Sequence, residues 1–175
     1  MLGFRTHLNR DSYQAEPAAH GPSERPVEPP PDIEIGPARL RDLPAVAGLQ
    51  RRAFTPRLAY TLGTLALLWA LPWVRLLVAR RDGEIVGCVI GDRVLDDSRV
   101  INLAVDPVAR RQGIGAALLY AAEHALPNGD MTLMVQSGNT AARSLYRRVG
   151  YEDERENPNY YGPGRPGVWM RKRRG

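Results

Sequence analysis

Val105-Asp106-Pro107-Val108-Ala109-Arg110-Arg111-Gln112-Gly113-Ile114-Gly115 is the stretch from which the fold can be read. It leaves an apolar run, Val100-Ile101-Asn102-Leu103-Ala104-Val105, with the pattern of a central strand, and Asp106-Pro107 ends that strand. After Gly115 the apolar residues Ile114, Leu118, Ala122 and Ala125 recur on one helical face until Pro127-Asn128-Gly129 breaks it. Gly113 and Gly115 allow close approach of the backbone to a ligand and unusual dihedral angles. The amides of Arg111 to Ala116 then converge at a helix N-terminus, whose partial positive charge favours an anion such as a pyrophosphate. A phosphate-binding loop of the Gly-Lys-Ser/Thr type is excluded because those residues do not follow. A dinucleotide fingerprint would need glycine at Leu118.

Upstream, Ile33 and Ile35 predict a short strand, and Asp42 is placed to cap a helix carrying Leu43, Val46, Ala47, Ala53 and Phe54 on one face. A second helix is expected over Leu58–Trp69, stopped by Pro72. Two β runs, Val74–Ala79 and Glu84–Ile90, flank Asp82-Gly83, a hairpin turn signal, and Asp96-Asp97 marks another turn. Downstream, Thr132–Val135 reads as a strand. Asn139 caps a helix with Ala142, Leu145, Tyr146 and Val149 on one side and Gly150 at its stop. A Tyr-, Gly- and Pro-rich loop precedes a last strand, Val168–Arg171. The order β-α-α-β-β-β-α-β-α-β is that of an α/β sandwich with one mixed sheet.

Residues 1–31 hold six of the 15 prolines and few aliphatics, which predicts a disordered leader without the apolar core of a secretory signal. One cysteine, Cys88, excludes an internal disulfide and any multi-cysteine metal site, and its apolar neighbours predict a buried, inert thiol in a reducing, cytoplasmic setting. The uncharged run Leu58–Val74 spans 17 residues and contains Gly63, Tyr60 and Pro72, so a buried amphipathic helix followed by a strand is preferred over a membrane span. Core packing of its aromatics is preferred over an apolar binding wall or a dimer contact. Net charge is +5, and Arg171-Lys172-Arg173-Arg174 supplies much of it. With no aromatic-interleaved basic surface and no zinc-finger spacing, this run reads as a solvated tail and not as a nucleic-acid module. His124 has no partner at metal-ligand spacing, and His7 and His20 lie in the leader without a motif, so no metal is expected.

Arg110-x-x-Gly113-x-Gly115 after a Val-x-Pro strand end resembles the acetyl-CoA motif of the GNAT superfamily of N-acetyltransferases. Asn139-x-x-Ala142-x-x-Leu145-Tyr146-x-x-x-Gly150-Tyr151 resembles a second element of that family, and Ile35-x-Pro37-Ala38 before Asp42-Leu43-Pro44-Ala45-Val46 matches its opening. The resemblance spans about Asp32–Lys172, which it makes the N-acetyltransferase domain, with 173–175 left as a basic tail. It implies a GNAT-like mixed β-sheet with a V-shaped splay at the central strands, helices on both faces, and acetyl-CoA as cosubstrate. The splay would hold the pantetheine arm against Leu103, Ala104 and Val105, and the amide of Leu103 or Val105 would stabilise the oxyanion. Arg110, Arg111, Gln112, Gly113, Ile114, Gly115 and Ala116 would cradle the diphosphate, and Asn139 would bond the pantetheine or thioester region. Tyr146 corresponds to the phenol that acts as general acid toward the departing sulfur; the alternative is that it only packs.

The glutamate that relatives acting on bacterial protein N-termini carry before the asparagine is Met134 here, which cannot accept a proton. Asp97 or Glu152 could serve through water, yet no motif specifies either, and the base is left unassigned. Glu156-Asn157-Pro158-Asn159-Tyr160-Tyr161-Gly162 resembles the loop before the last strand in bacterial ribosomal-protein alanine N-acetyltransferases, which implies that Tyr160 and Tyr161 hold a peptide N-terminus. Stapling of the loop is the alternative for both. The expected reaction is direct acetyl transfer to a primary amine, with protein or peptide α-amines ahead of small amines and lysine side chains. A coenzyme A-binding module without activity is the competing reading.

Overall fold

The computed structural model describes residues 29–126 and 129–174. The leader expected over 1–31 therefore falls almost wholly outside the described residues, as do His7, His20 and the helix-breaking pair Pro127-Asn128. The strands are β1 (Glu34–Pro37), β2 (Val74–Arg81), β3 (Glu84–Val94), β4 (Asp97–Val105), β5 (Met131–Gln136), β6 (Glu152–Asn157) and β7 (Gly167–Lys172). The helices are α1 (Leu43–Ala53), α2 (Leu62–Ala70), α3 (Ile114–Ala125) and α4 (Thr140–Arg148). One sheet runs in the order β1-β2-β3-β4-β5-β7-β6. Among the described residues only β4 and β5 are parallel, joined by the α3 crossover; the other neighbouring pairs are antiparallel.

Side-chain alternation along the strands builds two cores. Leu77, Ala79, Val89 and Val100 point to the face covered by α3, meeting Ile114, Leu118 and Ala122. Leu76, Val78, Cys88 and Ile90 point to the opposite face, under α1 and α2. Each central strand is thus covered on both sides, which explains why its sequence reads as a continuous apolar run. Cys88 is buried, and that burial pushes its thiol up to about 12, so it stays protonated and unreactive. Among the described residues, no helix is long and apolar enough to cross a membrane, and no group of three or more His, Cys, Asp or Glu could hold a metal ion.

The structure corrects several local expectations. Asp42 makes no side-chain cap to α1; it ends a short 3-10 turn, accepts the Arg39 N–H at 2.7 Å and pairs with Arg80 at 2.5 Å. The second helix begins at Leu62 and not at Leu58, because the Thr61 hydroxyl accepts the Thr64 N–H at 3.2 Å and caps it there. Within α2 only Leu65 is buried, while Leu62, Leu67 and Trp69 are exposed, so core packing accounts for one side of that helix alone.

β6 was not foreseen. Its residues Glu152–Asn157 are all exposed on a sheet edge, so no apolar alternation marks them. The C-terminal basic run is no solvated tail either. Arg171 pairs with Asp97, Asp130 and Glu154, and Arg173 with Glu152. Lys172 is buried against Glu123 at 3.1 Å, and Arg174 donates to the carbonyls of Glu123 and Leu126 at the end of α3. Arg171, Lys172 and Arg174 are thus engaged by carboxylates and helix-end carbonyls, while Arg173 stays exposed beside Glu152.

Candidate active site

The site forms where the sheet opens. The β3–β4 register pairs Ile90 with Asn102 and then Gly91 with Val100, leaving Ile101 as an extra residue in β4. Such a bulge bends the strand that carries it. Beyond it, β4 leaves β5: the two strands pair only at Ser98–Met131, Arg99–Thr132 and Val100–Leu133. β5 continues to Gln136 against β7 on its other side. The result is a V-shaped slot between the second halves of β4 and β5.

Which groups face the slot follows from one hydrogen bond. Asp106 donates its N–H to the Val86 carbonyl at 2.9 Å, toward β3. Backbone groups alternate between the two edges of a strand, so Ala104 and Asn102 also face β3, whereas Leu103 and Val105 turn their N–H groups to the slot. This is a correction for Ala104. Its peptide groups pair with β3 and its methyl is buried in the α1/α2 core, so it does not line the slot.

At the mouth of the slot the chain turns into α3. Arg111 and Gly113 both have left-handed backbone, at φ 63° and 82°. Alternation of this kind gathers successive N–H groups into a concave anion site. The first α-helical bond of α3 runs from Ala117 N–H to the Gly113 carbonyl at 3.0 Å, so Ile114, Gly115 and Ala116 lack helical acceptors for their amides.

The loop's side chains are largely occupied in holding its shape. Arg110 donates to the Val105 and Ala53 carbonyls, at 3.2 and 3.3 Å. Gln112 accepts from Arg81 at 2.7 Å. At Gly115 the structure adds a packing requirement to the conformational one. Its Cβ would lie 3.0 Å from Leu145 Cδ2, so glycine lets α3 pack close against α4.

On the far wall Asn139 accepts the Ala142 N–H at 3.1 Å and caps α4, which leaves its amide nitrogen as the group available to a ligand. That helix presents Tyr146, buried, with its ring 5.9 Å from that of Tyr151. Burial, and then the neighbouring Tyr161, push the Tyr146 phenol well above its ordinary value. It therefore stays a proton donor across the neutral range.

A second group of residues gathers on the α1/α2 face of the split. Leu133 and Val135 enter the α3 core, so the intervening Met134 points to the other face. There Tyr161 donates its hydroxyl to the Met134 carbonyl at 3.0 Å and stacks edge-on with Tyr160, ring centres 4.9 Å apart. Tyr161 thus staples the loop, while Tyr160 stays half exposed. Tyr60 faces them across the opening, its N–H 3.5 Å from the Gln50 carboxamide, which in turn exchanges hydrogen bonds with Asn102. Burial raises the Tyr60 phenol, and Tyr160 adds to the effect.

Neither carboxylate considered as a base reaches this opening. Asp97 lies at the start of β4, bound by Arg171, whose hydrogen bond holds its carboxyl below the usual range. Glu152 is on β6, two strands from β5, beside Arg173. Sequence reasoning missed the Asp92–Arg99 pair, whose arginine stands one residue before β4 and β5 part, on the face of Met134. Its signal was present: the two residues stand opposite each other across the hairpin turn at 95–96, with unlike charges.

Four buried or half-buried phenols here are raised by burial: Tyr60, Tyr146, Tyr151 and Tyr161, the last to about 12. In the unfolded chain each ionises near pH 10, roughly the free-tyrosine value. Their stabilising contribution is complete below that pH and is lost as pH rises toward the folded values, because the unfolded chain releases protons that the native state keeps. Urea unfolding followed from pH 8 to 11.5 should therefore show stability falling from about pH 10 upward. A flat profile would contradict the burial of these hydroxyls.

A family model for the acetyltransferase (GNAT) domain matches residues 72–153, from the end of α2 to β6. An uncharacterized N-acetyltransferase of Methanocaldococcus jannaschii is 34% identical over 139 residues, covering 77% of this chain and 87% of that protein. The ribosomal protein bS18-alanine N-acetyltransferase of Escherichia coli is 30% identical over 138 residues, covering 69% of this chain and 81% of its own length. The crystal structure of the Escherichia coli ribosomal-protein-S18-alanine N-acetyltransferase superposes with a TM-score of 0.72 at 26% identity, covering 81% of this chain and 93% of that one. The PaiA N-acetyltransferase of Thermoplasma acidophilum, solved in complex with coenzyme A, shares the fold at a TM-score of 0.70 and 18% identity, covering 81% of this chain and 99% of that one. Split sheet and matched relatives agree: the chain belongs to the GNAT family and is an N-acetyltransferase.

Proposed function

We propose that this N-acetyltransferase uses acetyl-CoA and transfers the acetyl group to an α-amine at the N-terminus of a protein or peptide. The observation that carries the cosubstrate is the continuity of two features. N–H groups of Leu103 and Val105 face a slot whose mouth is the concave turn at Arg111–Ala116. The first suits an amide-bearing arm and the second a diphosphate. Asn139 contributes its amide nitrogen on the opposite wall, and the outward amide of Leu103 or Val105 polarises the thioester carbonyl.

The acceptor's nitrogen attacks the carbonyl carbon, a C–N bond forms and the C–S bond breaks. The amine releases one proton to water, and the departing sulfur takes one from Tyr146, which regains it from solvent. No unpaired carboxylate stands at the opening among the described residues, and Met134 cannot accept a proton, so the acceptor must supply its own neutral amine. At pH 7.4 roughly a quarter of an α-amine is neutral, against about a thousandth of a lysine side chain. The chemistry of the site therefore favours the α-amine.

Relatives named for the alanine of a ribosomal protein support a protein N-terminus as acceptor, and with it a cytoplasmic setting. Tyr160, half exposed beside the split, is placed to contact the incoming chain, with Tyr161 supporting it. Thiol release from acetyl-CoA, measured with peptides, blocked peptides carrying only lysine, and small amines, tests the proposal. Acetylation of free peptide N-termini, with a pH dependence that follows the acceptor's own pKa, is expected. Thiol release with small amines alone would replace the acceptor class, and absence of acetyl-CoA uptake would remove the cosubstrate.

A further inference from the structure

We propose that Arg99, held in place by Asp92, is a specificity residue of the acceptor site that recognises a carboxylate carried close to the amine being acetylated. The inference rests on the α-amine reading above and adds to it the chemistry of the acceptor's next group.

Arg99 sits one residue before the last β4–β5 pair, at the edge of the split. Val100 enters the α3 core, so Arg99 points to the other face, the one that also carries Met134. Its partner is cross-strand. Arg99 Nε and one terminal nitrogen donate to the two oxygens of Asp92, at 3.1 and 2.6 Å. A fork of this kind fixes the plane of the guanidinium and spends the donors on one side, leaving the other terminal nitrogen to point away from Asp92.

Exposure is unequal. The Asp92 side chain is 11% accessible and that of Arg99 40%. An arriving ligand therefore meets the guanidinium, with the balancing charge behind it. Tyr60 and Tyr160 lie near enough to act electrostatically on Arg99, and Tyr160 stacks edge-on with Tyr161 to form a ring of phenols beside the split. Gly167 permits this ring to form, because a Cβ there would stand 2.8 Å from Met134 Sδ and 3.1 Å from Tyr160 Cβ. A structural ion pair alone would need no exposed guanidinium face at the mouth of a substrate site. An arginine pre-oriented by a buried carboxylate is built to receive a second carboxylate or a strong hydrogen-bond acceptor. A cationic neighbour on the acceptor would instead be repelled.

The carboxylate could come from an acidic side chain at the second position of a peptide or from the free α-carboxylate of a short acceptor. Peptides Ala-Asp, Ala-Glu, Ala-Gln and Ala-Arg at the first two positions, with one common continuation, cover the first source; dipeptides with free and amidated C-termini cover the second. With the full chain, kcat/KM for acidic over glutamine peptides, or for free over amidated dipeptides, should be at least about tenfold, mostly in KM. The arginine peptide should be the poorest.

In the paired variant Arg99→Gln with Asp92→Asn, which keeps shape and leaves no lone buried charge, that ratio should fall to about one and the arginine peptide should improve. Acetyl-CoA affinity, measured by calorimetry on the same samples, reports folding and the cosubstrate site. Acetyl-CoA binding with no preference for the carboxylate, or with a preference that survives in the paired variant, overturns this inference and leaves the proposed function standing. No acetyl-CoA binding by the unaltered chain overturns both.

Discussion

Replacing Tyr146 by phenylalanine is expected to lower kcat for amine acetylation by about a hundredfold or more, with acetyl-CoA affinity unchanged. The substitution removes one oxygen and keeps the ring. Packing against Tyr151 at 5.9 Å, and the place of the side chain in the α3 core, are therefore preserved. What is lost is a hydroxyl that burial keeps protonated, on the helix lining the split. If the residue only packed, phenylalanine would be nearly neutral, since no partner of that hydroxyl would be left unsatisfied. Steady-state rates across pH, with calorimetry of acetyl-CoA binding, separate the two roles. An unchanged kcat at every pH would assign Tyr146 to the core alone.

The second large effect is expected at Gly115. A valine there should reduce acetyl-CoA affinity by more than about tenfold, through packing and not by blocking the anion turn. The added Cβ would already stand 3.0 Å from Leu145 Cδ2 and 3.8 Å from Val105 Cγ2. Two further methyls force the first turn of α3 away from α4 and β4, and the free amides of Ile114, Gly115 and Ala116 move with it. Overpacking of this kind costs about 1–3 kcal/mol, which a domain of this size can absorb without unfolding. Alanine at the same position should be milder, because Leu145 is half-buried and needs to yield only slightly. Calorimetry on both variants, with thermal unfolding to show that they fold, checks the order. Equal affinity for the valine variant would show that the turn does not depend on this contact.

Much of this was legible in the chain itself. The strand–turn–helix at Val100–Ala125 announced itself through an apolar run, Asp106-Pro107 and two glycines, because each is a local requirement of backbone geometry. Asn139 and Gly150 marked the ends of α4 for the same reason. β6 escaped notice because an edge strand buries nothing and so carries no hydrophobic period. Asp42 and the C-terminal arginines were misread because a charged residue's partner is chosen in three dimensions. The Asp42 carboxylate found Arg80, and Arg174 found the end of α3, 48 residues upstream at Leu126.

The sequence by itself thus determined the order of every element but β6, the glycine turn into α3 and the phenol on α4, since short-range sterics and capping encode them. Tertiary structure alone decided where the sheet parts and which amides face the gap. Those outcomes depend on strand register around the bulge at Ile101, a property of paired strands that no single segment carries.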